Sequence, residues 1–462
     1  MRFILFLLSF SINADLSQNI DTHKEKYEQL AQTIWEYAEM GYLEEKSSKL
    51  LQETLLESSF VIDEGIAGIP TAFVAEYSNG GPIIGILAEF DALPGLSQDA
   101  TPFRKSLGGD AGHACGHHLF GAGSVQAAIA IRYWLERTNT PGTIRLYGTP
   151  AEEGGSGKVY IARDGYFDDV DVMLHWHPDD MNRSHYSSSN GNKSARFKFK
   201  GVSAHAAGAP QNGRSALDGV EAMNMMVNMM REHMDEEARI HYVITKGGLA
   251  PNVVPEEAEV YYYVRHPEVE GVKELFNRVV KTAEGAARGT ETEMTFEVMH
   301  GNYPLMPNKA LSTMIDEELN QLGGISYNDE ETKFAKEIYK TLLNPDRVIG
   351  DQKEILPLEL SQTKGSTDVG DVSWKVPTSG VRIATWVPGT SSHSWQAVAA
   401  GGTTIGTKGS TLAAKALANS AVRIYEDPDI IKAAWEEHKL NVGDHEYKAL
   451  LGDREPPLDY RK

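Results

Sequence analysis

Apolar residues recur at intervals of three and four near the start of the chain, as Tyr27, Leu30 and Ile34 show. This spacing places them on one face of a helix. It predicts helical structure from about residue 23 to residue 57, with a second helix over residues 45–56. The chain is therefore expected to open with helices that cover a core on one side.

Farther along, short apolar runs alternate with helical spacing. Strands that alternate with helices build an α/β fold, and we expect a mixed, largely parallel sheet flanked by helices. The predicted strands cover residues 71–77, 83–90, 143–147 and 170–174, and a helix is predicted over residues 119–135.

Polar residues directly follow three of these strands. Asp91 follows the second, the pair Glu152 and Glu153 follows the third, and His175 and His177 follow the fourth. Sheets of this kind gather ligands at the carboxyl ends of their strands. The clusters are therefore expected to meet in one pocket.

The pattern changes after residue 194. Residues 195–200 alternate, residues 215–234 have helical spacing, and residues 258–264 form a tyrosine-rich strand pattern. A strand, helix and strand in this order predict a smaller inserted α+β domain over residues 195–303. The first domain then comprises residues 15–194 and 304–462.

Methionines at helical spacing mark the long helix of this inserted segment. An ordinary core face explains them most simply, and a subunit interface is the alternative. They are Met223, Met226, Met230 and Met234.

Length and charge narrow the class of protein. The chain has 462 residues, which exceeds one ordinary domain, and a formal net charge of −21. Nucleic-acid and anionic-membrane partners require a basic footprint, so this charge argues against both. A soluble globular enzyme fits the composition.

The N-terminus has the features of an export signal. Arg2 supplies an early positive charge, residues 3–12 are apolar, and Ala14 precedes the polar Asp15. The apolar stretch is too short to span a membrane as a helix. We expect residues 1–14 to be a signal peptide cleaved near Ala14, which implies a periplasmic or secreted protein. The alternative is a buried N-terminal helix or strand in a cytoplasmic protein.

The single cysteine of the chain lies among histidines. Cys115 excludes an intrachain disulfide, and His117 follows it two positions later. In an extended loop these two side chains point to the same side, and thiolate and imidazole are strong ligands of zinc and similar ions. Gly112 and Gly116 favour such a loop. Alone, this is a weak metal signature.

The other clusters strengthen the metal interpretation. Beside two metal ions, the neighbouring carboxylates Glu152 and Glu153 can divide the work, one as a ligand and one as a base, although spacing does not say which. Asp91, His177 and His393 supply further ligand types. Each of them alone is more often a turn residue or a structural histidine, and His175 competes with His177.

These segments together resemble a known family, the dinuclear metallohydrolases that include aminoacylases, carboxypeptidase G and auxin-conjugate amidohydrolases. Within it the chain is most similar to the aminobenzoyl-glutamate hydrolase branch, on the side of the B subunit. The resembling segments span nearly the whole chain after residue 14. They are FDALPGL (90–96), GHACGH (112–117), GTPAEEGG (148–155), WHP (176–178), SAHAA (203–207), APNVVP (250–255), GSTDVGDVS (365–373) and HSW (393–395).

The resemblance implies two divalent metal ions per subunit, with zinc favoured by the thiolate and manganese or cobalt as alternatives. It also favours His177 over His175 as the ligand that follows the fourth predicted strand. The implied ligands are Cys115, His117, Glu153, His177 and His393.

The remaining roles are implied in the same way. Glu152 is the general base, and Asp91 supports a ligand or the base. The inserted domain serves as a ferredoxin-like lid and dimerisation domain. From it, His205 reaches the pocket of a partner subunit and stabilises the oxyanion, while Asn252 and Arg265 hold the substrate's amide or carboxylate. The alternatives are a histidine in a turn for His205 and a simple ion pair with an acidic residue for Arg265.

The expected activity is metal-dependent hydrolysis of amide bonds by activated water. N-acyl amino acids, aminobenzoyl-glutamate-like conjugates and small dipeptides are the expected substrates. A homodimer is expected, with a related second subunit as a further partner. A catalytically silent binding or regulatory protein on the same scaffold is the alternative.

His118 departs from the family, which commonly has Asp or Asn at this position. This histidine is therefore a candidate modifier of metal preference.

Overall fold

The computed structural model describes the backbone of residues 2–462 and the side chains from Leu16 onward. The side chains of the expected signal peptide, residues 1–14, lie outside the described residues. The helices are α1 (Arg2–Tyr37), α2 (Glu45–Leu56), α3 (His117–Thr138), α4 (Gly157–Arg163), α5 (Ala216–Met230), α6 (Val269–Thr290), α7 (Lys309–Leu322), α8 (Asp329–Tyr339), α9 (Val369–Lys375), α10 (Trp395–Gly401), α11 (Thr404–Glu426) and α12 (Asp429–Val442).

The strands fall into two main sheets and two small pairs. They are β1 (Val61–Glu64), β2 (Phe73–Ser78), β3 (Ile83–Ala88), β4 (Leu93–Pro94), β5 (Ala111–Gly112), β6 (Thr143–Gly148), β7 (Val172–Asp179), β8 (Arg183–Ser184), β9 (Ser187–Ser188), β10 (Gly191–Lys200), β11 (Arg239–Lys246), β12 (Glu257–His266), β13 (Glu293–Asn302), β14 (Ser361–Gln362) and β15 (Thr378–Ala384).

The larger sheet has the strand order β1-β2-β6-β3-β7-β15-β8. Its centre, from β6 to β15, is parallel, and the outer strands are antiparallel. The central strands are almost fully buried because helices, α3 and α11 among them, pack on the sheet and on each other. The predicted α/β class with a mixed, largely parallel sheet is confirmed.

The smaller sheet lies within residues 191–302 and has the order β11-β12-β10-β13, antiparallel throughout. Helices α5 and α6 pack against it and against each other. The chain order β-α-β-β-α-β with this strand order is the ferredoxin-like arrangement. Its core is separate from the core of the larger sheet.

Several expected boundaries differ from the structure. The helix expected from about residue 23 belongs to α1, which begins at Arg2. The helix expected over residues 215–234 ends at Met230 and tightens into a 3-10 turn over Arg231–His233, where the Arg231 guanidinium donates to the carbonyl of Ile240. The fourth predicted strand does not end at residue 174. Strand β7 continues to Asp179 because β15 pairs with it over that length.

The methionines of α5 divide between core and surface. Met223 is fully buried, and Met230 and Met234 pack against the core of the smaller sheet. Met226 is 40% exposed, together with Met229 at 64%. The helix thus has a core face and a second apolar face that is open. No described helix is long and apolar enough to cross a membrane.

Candidate metal centre

The Cys-His segment is a loop that runs into a helix. Strand β5 ends at Gly112, Cys115 lies in the following turn, and α3 begins at His117. Gly116 between them has φ +74°, and a Cβ there would lie 2.6 Å from Cβ of Pro178. Only glycine fits both the left-handed backbone and this close approach to β7. The turn brings the loop against the strand that carries His177.

Five side chains from four segments meet at this loop. Cys115 Sγ lies 3.5 Å from His177 Nε2, and His393 Nε2 lies 3.1 Å from Glu153 Oε1. Cys115, His117 and His177 form one group of potential ligand atoms within 4.8 Å of one another, and Cys115, Glu153 and His393 form another. Two groups that share one thiolate have the composition of a dinuclear site.

A third group of the same kind joins the general base expected from sequence to this cluster. It comprises Glu89, His117 and Glu152. Glu89 Oε2 lies 3.1 Å from His117 Nε2. Glu152 is therefore adjacent to the proposed ligands, at the position from which a base can act on water beside them.

The donor set fits divalent metal ions. His117 Nε2 and Glu153 Oε1 are buried, and each lies 3.1 Å from another group of the cluster, Glu89 Oε2 and His393 Nε2 respectively. Neither atom has a hydrogen-bond partner outside the cluster among the described residues. A cation bound here satisfies both an imidazole nitrogen and a carboxylate oxygen, which buried polar atoms require. The cluster lines a cavity of about 360 Å³, a volume suited to a small substrate.

Asp91 lies behind the cluster and orients two of its members. Its Oδ1 is 2.8 Å from His117 Nδ1, and its Oδ2 accepts a hydrogen bond from the backbone N–H of Glu153 at 2.9 Å. The first contact fixes the His117 ring with Nε2 toward the cluster, as carboxylates commonly do for metal-binding histidines. Burial acts to raise the pKa of Asp91, but the neighbouring His117 outweighs it and lowers that pKa.

The backbone of His393, another proposed ligand, is strained. Its φ is +57°, which is unusual for a residue other than glycine, and its N–H donates to the carbonyl of Ala114 in the Cys115 loop. Hydrogen bonds with Cys115 and Glu153 raise the pKa of His393 to about 10. A proton on His393 thus links this ring to Cys115 and Glu153.

A buried lysine balances the carboxylates around the base. Lys158 Nζ, on α4, lies 2.7 Å from both Glu89 Oε1 and Asp368 Oδ1, and all three side chains are almost fully buried. Burial, followed by the charges of Glu89 and Glu153, raises the pKa of Glu152, and Lys158 opposes that rise. The lysine therefore favours the ionised form that a general base needs.

The other histidines named from sequence lie outside the ligand groups. His175 Nε2 is 3.1 Å from His185 Nδ1, and burial lowers the pKa of His175 to about 3. His118 bonds through Nε2 to the carbonyl of Gly401 and lies beside the His113 ring. A direct effect of His118 on the metals is therefore not supported, because its bonding nitrogen is directed to α10.

The three residues expected from the inserted domain do not line this cavity. His205 and Asn252 are exposed in adjoining turns. Arg265 stacks on Tyr263 and has no carboxylate within salt-bridge distance among the described residues, so the alternative of a simple ion pair is not observed. The site within one chain contains the expected ligands and base but not these residues.

Sequence reasoning missed Glu89, Lys158 and Asp368. Glu89 precedes Asp91 by two positions at the end of the same strand segment, and this alternation could have indicated it. Asp368 lies in the GSTDVGDVS segment, which carried the resemblance without an assigned role. Nothing near Lys158 in sequence predicts its burial, because its partners come from the end of β3 and from the turn before α9.

Comparison with known proteins agrees with this geometry. Residues 187–291 match the peptidase dimerisation domain of the M20 family. The chain is 39% identical over 450 residues to the B subunit of p-aminobenzoyl-glutamate hydrolase from Escherichia coli (strain K12), covering 91% of this chain and 93% of that one. It is 29% identical over 442 residues to Xaa-Arg dipeptidase of Mus musculus, covering 92% of each.

A solved structure shows the same fold. The crystal structure of a dinuclear metal binding peptidase from the M20 family of Bacillus subtilis aligns with a TM-score of 0.61 at 18% identity, covering 88% of this chain and 99% of that one. The family resemblance seen in the sequence is thereby confirmed. The chain belongs to the M20 family of metal-binding hydrolases that act on amide bonds.

Proposed function

We propose that this chain hydrolyses amides that join an acyl group to an amino acid, using two divalent metal ions and Glu152 as the general base. The observation that carries the proposal is the sharing of Cys115 by two ligand groups, next to a third group that holds Glu152. The proposed metal ligands are Cys115, His117, Glu153, His177 and His393. Zinc suits the thiolate best, with manganese or cobalt as alternatives.

Bound metal ions supply Lewis acidity, which lowers the pKa of water and polarises a carbonyl group. The chain's own residues do the rest. Glu152 accepts the proton of the attacking water and returns it to the leaving nitrogen, and the charge of Lys158 opposes the rise in the pKa of that carboxyl group. Asp91 holds the His117 ring and the Glu153 backbone in place for this chemistry.

We propose that His205 stabilises the oxyanion in the site of a partner subunit. Its Nδ1 accepts hydrogen bonds from the backbone N–H groups of Ala207 at 3.3 Å and Gly208 at 3.1 Å. An imidazole that accepts at Nδ1 carries its proton on Nε2 when neutral. The exposed ring therefore presents a fixed N–H donor, which is what an oxyanion requires.

The homodimer that this role requires has a suitable surface. Strand β11 is a sheet edge, and its Val243 and Ile244 side chains are exposed. Met225 and Met229 are exposed on the neighbouring α5. An open apolar strand edge favours pairing with another chain. We propose that two copies join along this edge, while a related second subunit is the alternative partner.

The substrate class follows from the relatives, which are a p-aminobenzoyl-glutamate hydrolase and an Xaa-Arg dipeptidase. We propose N-acyl amino acids, aminobenzoyl-glutamate-like conjugates and small dipeptides as substrates for this chain.

We also propose export with removal of residues 1–14. Leu16 and Ile20, the first buried side chains described, remain in the core after such a cleavage.

Metal removal and return tests the proposed activity. Purified protein is stripped with a chelator, reloaded with zinc, manganese or cobalt, and given a panel of these amides with hydrolysis followed by mass spectrometry. We expect turnover to disappear on stripping and to return with at least one metal. Tight amide binding without turnover under every metal would instead favour the catalytically silent alternative.

A further inference from the structure

One wall of the catalytic cavity carries a guanidinium group that none of the roles above uses. Arg382 lies on β15, directly in register with His177 on the adjacent parallel strand β7. Paired residues of neighbouring strands point to the same face and lie about 4.8 Å apart. Both residues line the cavity of the metal centre. Arg382 is therefore next to the reaction site.

The Arg382 side chain makes one hydrogen bond to the residues that the structure describes. Its Nε donates to Asp179, and this contact anchors the side chain. Neither terminal nitrogen has a hydrogen-bond partner among the described residues, and the side chain is 28% exposed. A guanidinium offers five N–H donors, so most of those of Arg382 remain available to a ligand.

Two further arginines lie near Arg382. Arg183 pairs with it in register on β8, and Arg347 lies 3.6 Å from Asp180 through Nε. Three carboxylates, Asp179, Asp180 and Glu359, act on these arginines, so the group has no excess of positive charge. What distinguishes Arg382 is that its terminal nitrogens have no hydrogen-bond partner among the described residues.

A second polar group in the same cavity also lacks a partner. The hydroxyl of Ser366 is buried without a hydrogen bond to any described residue, and Ser366 lines the cavity. Buried hydroxyl groups are normally bonded, so this one is suited to a polar part of a ligand. The lining of the cavity therefore contains the terminal N–H groups of Arg382 and, in addition, the hydroxyl of Ser366.

We propose that Arg382 is a specificity-determining residue that binds a second carboxylate of the substrate, beyond the α-carboxylate of the amino acid, so that the enzyme selects amides carrying an additional acidic group. The proposal rests on the amide hydrolysis proposed above. The terminal nitrogens of an arginine match the two oxygens of a carboxylate, whereas a lysine offers only a point charge. Asp179 keeps the guanidinium in place by holding its other edge.

The test compares substrates of similar shape that differ by one carboxylate in addition to the α-carboxylate. The pairs are N-benzoyl-glutamate with N-benzoyl-glutamine, and N-succinyl-leucine with the analogue in which the succinyl carboxylate is an amide. In metal-loaded Arg382→Gln we expect the kcat/KM preference for the acidic member of one pair to fall about 10- to 100-fold, because a charge-assisted contact is lost. The kcat/KM for the member with a single carboxylate should change less than that for the member with two. The pair that responds shows on which side of the amide the carboxylate lies.

Arg183→Gln is the matched control. It removes the same charge from the adjacent strand, but Arg183 uses its terminal nitrogen on the carbonyl of Glu359 and the hydroxyl of Ser361. This variant should keep the preference. Arg382→Lys retains a cation beside Asp179 and is used if the glutamine variant fails to fold. It should lose most of the preference because it lacks the fork.

A readout without turnover separates this proposal from the proposed activity. Calorimetry measures binding of the four amides to metal-loaded Glu152→Gln and to the same protein with Arg382→Lys. We expect the second protein to bind the selected acidic amide at least about tenfold more weakly. Folded Arg382 variants that keep the wild-type preference in both pairs and in binding would overturn the subsite. Absence of hydrolysis by the wild type would overturn only the activity.

Discussion

Asp91 shows how a buried carboxylate outside the cavity sets the geometry inside it. One of its oxygens contacts His117 and the other accepts the backbone N–H of Glu153. Two proposed ligands from different segments are thus oriented by one side chain. Partners of this kind commonly change metal affinity as much as a weak ligand does.

Asp91→Asn should therefore weaken metal binding. The amide keeps an acceptor for Glu153 but loses the charge that fixes the His117 ring, and we expect affinity to fall about 10- to 100-fold. Competition with a chromophoric chelator measures it. Asp171→Asn is the matched control, since Asp171 also accepts a backbone N–H, from Ile83, in the same sheet. Equal affinity in the two variants would contradict the role.

Metal uptake should depend on pH through His393. Contacts with Cys115 and Glu153 raise its pKa to about 10, so this ring is protonated at neutral pH in the metal-free protein. It must lose that proton to bind a metal, and affinity therefore rises with pH. We expect up to about tenfold per pH unit below 10 for this proton, measured by titration with zinc in buffers of different pH. Affinity that is independent of pH between 6 and 8 would count against His393 as a ligand.

At the residue scale, sequence indicated the groups that carry a recognisable ligand chemistry. Cys115 and His117 indicated a ligand pair because a thiol and an imidazole two positions apart in an extended loop point to the same side. Lys158 did not, because its function depends on burial between Glu89 and Asp368, which are distant in sequence. Ion pairs across the fold leave no local pattern. Arg382 was missed for the same reason.

Among the elements, the turn that carries Glu152 and Glu153 depends on distant segments. The turn follows β6 and is held at Ala151 N by the buried Glu44 carboxylate, which accepts a hydrogen bond. Near residue 460, the Tyr460 hydroxyl and the Arg461 guanidinium both donate to the Glu153 carbonyl, at 3.1 Å and 2.7 Å. These contacts position the backbone of a proposed ligand and of the base beside it.

Replacing Tyr460 with Phe and Arg461 with Ala together should lower turnover without unfolding the chain. Two hydrogen bonds to one carbonyl are lost, at about 1 kcal/mol each, so the turn becomes less well fixed. We expect kcat to fall roughly tenfold or less with little change in thermal stability. Lys462→Ala, at the neighbouring exposed position, serves as the control. Wild-type kcat in the double variant would show that these contacts are not needed.

Elements were predicted well where periodicity is strong and short range. The strand over residues 143–147 and helix α2 match the structure almost residue for residue. Strand β7 was cut short because His175, His177 and Pro178 are typical of a strand end. Pairing with β15 overrides that local signal. Helix α6 and strands β11 and β13 were not individually predicted, although the inserted α+β segment itself was.

At the scale of the whole molecule, the ligands and the proposed oxyanion donor belong to different parts of the fold. The ligands surround the larger sheet, whereas His205 is exposed on the inserted domain and does not line the cavity of its own chain. A dimer that exchanges these parts would complete both sites. Sequence predicted this division from the family resemblance, since composition carries no information on contacts between copies.

Mixing two inactive variants tests the exchange. His205→Ala and Glu152→Gln should each lose most activity, but a mixed dimer contains one site with both native residues. Random reassociation should therefore recover about a quarter of the wild-type activity. Recovery is measured after dissociation and joint refolding of equal amounts. If His205 acted within its own chain, no mixed site would be complete and no activity would return.

The most direct test of the central claim is the turnover and metal content of Glu152→Gln. We predict that this variant binds the same two metal ions as the wild type, because Glu152 is not among the proposed ligands. Its kcat should fall roughly a hundredfold or more, because glutamine cannot accept the proton of the attacking water. A Glu152→Gln protein with full metal content and wild-type kcat would contradict the role of Glu152 as the general base.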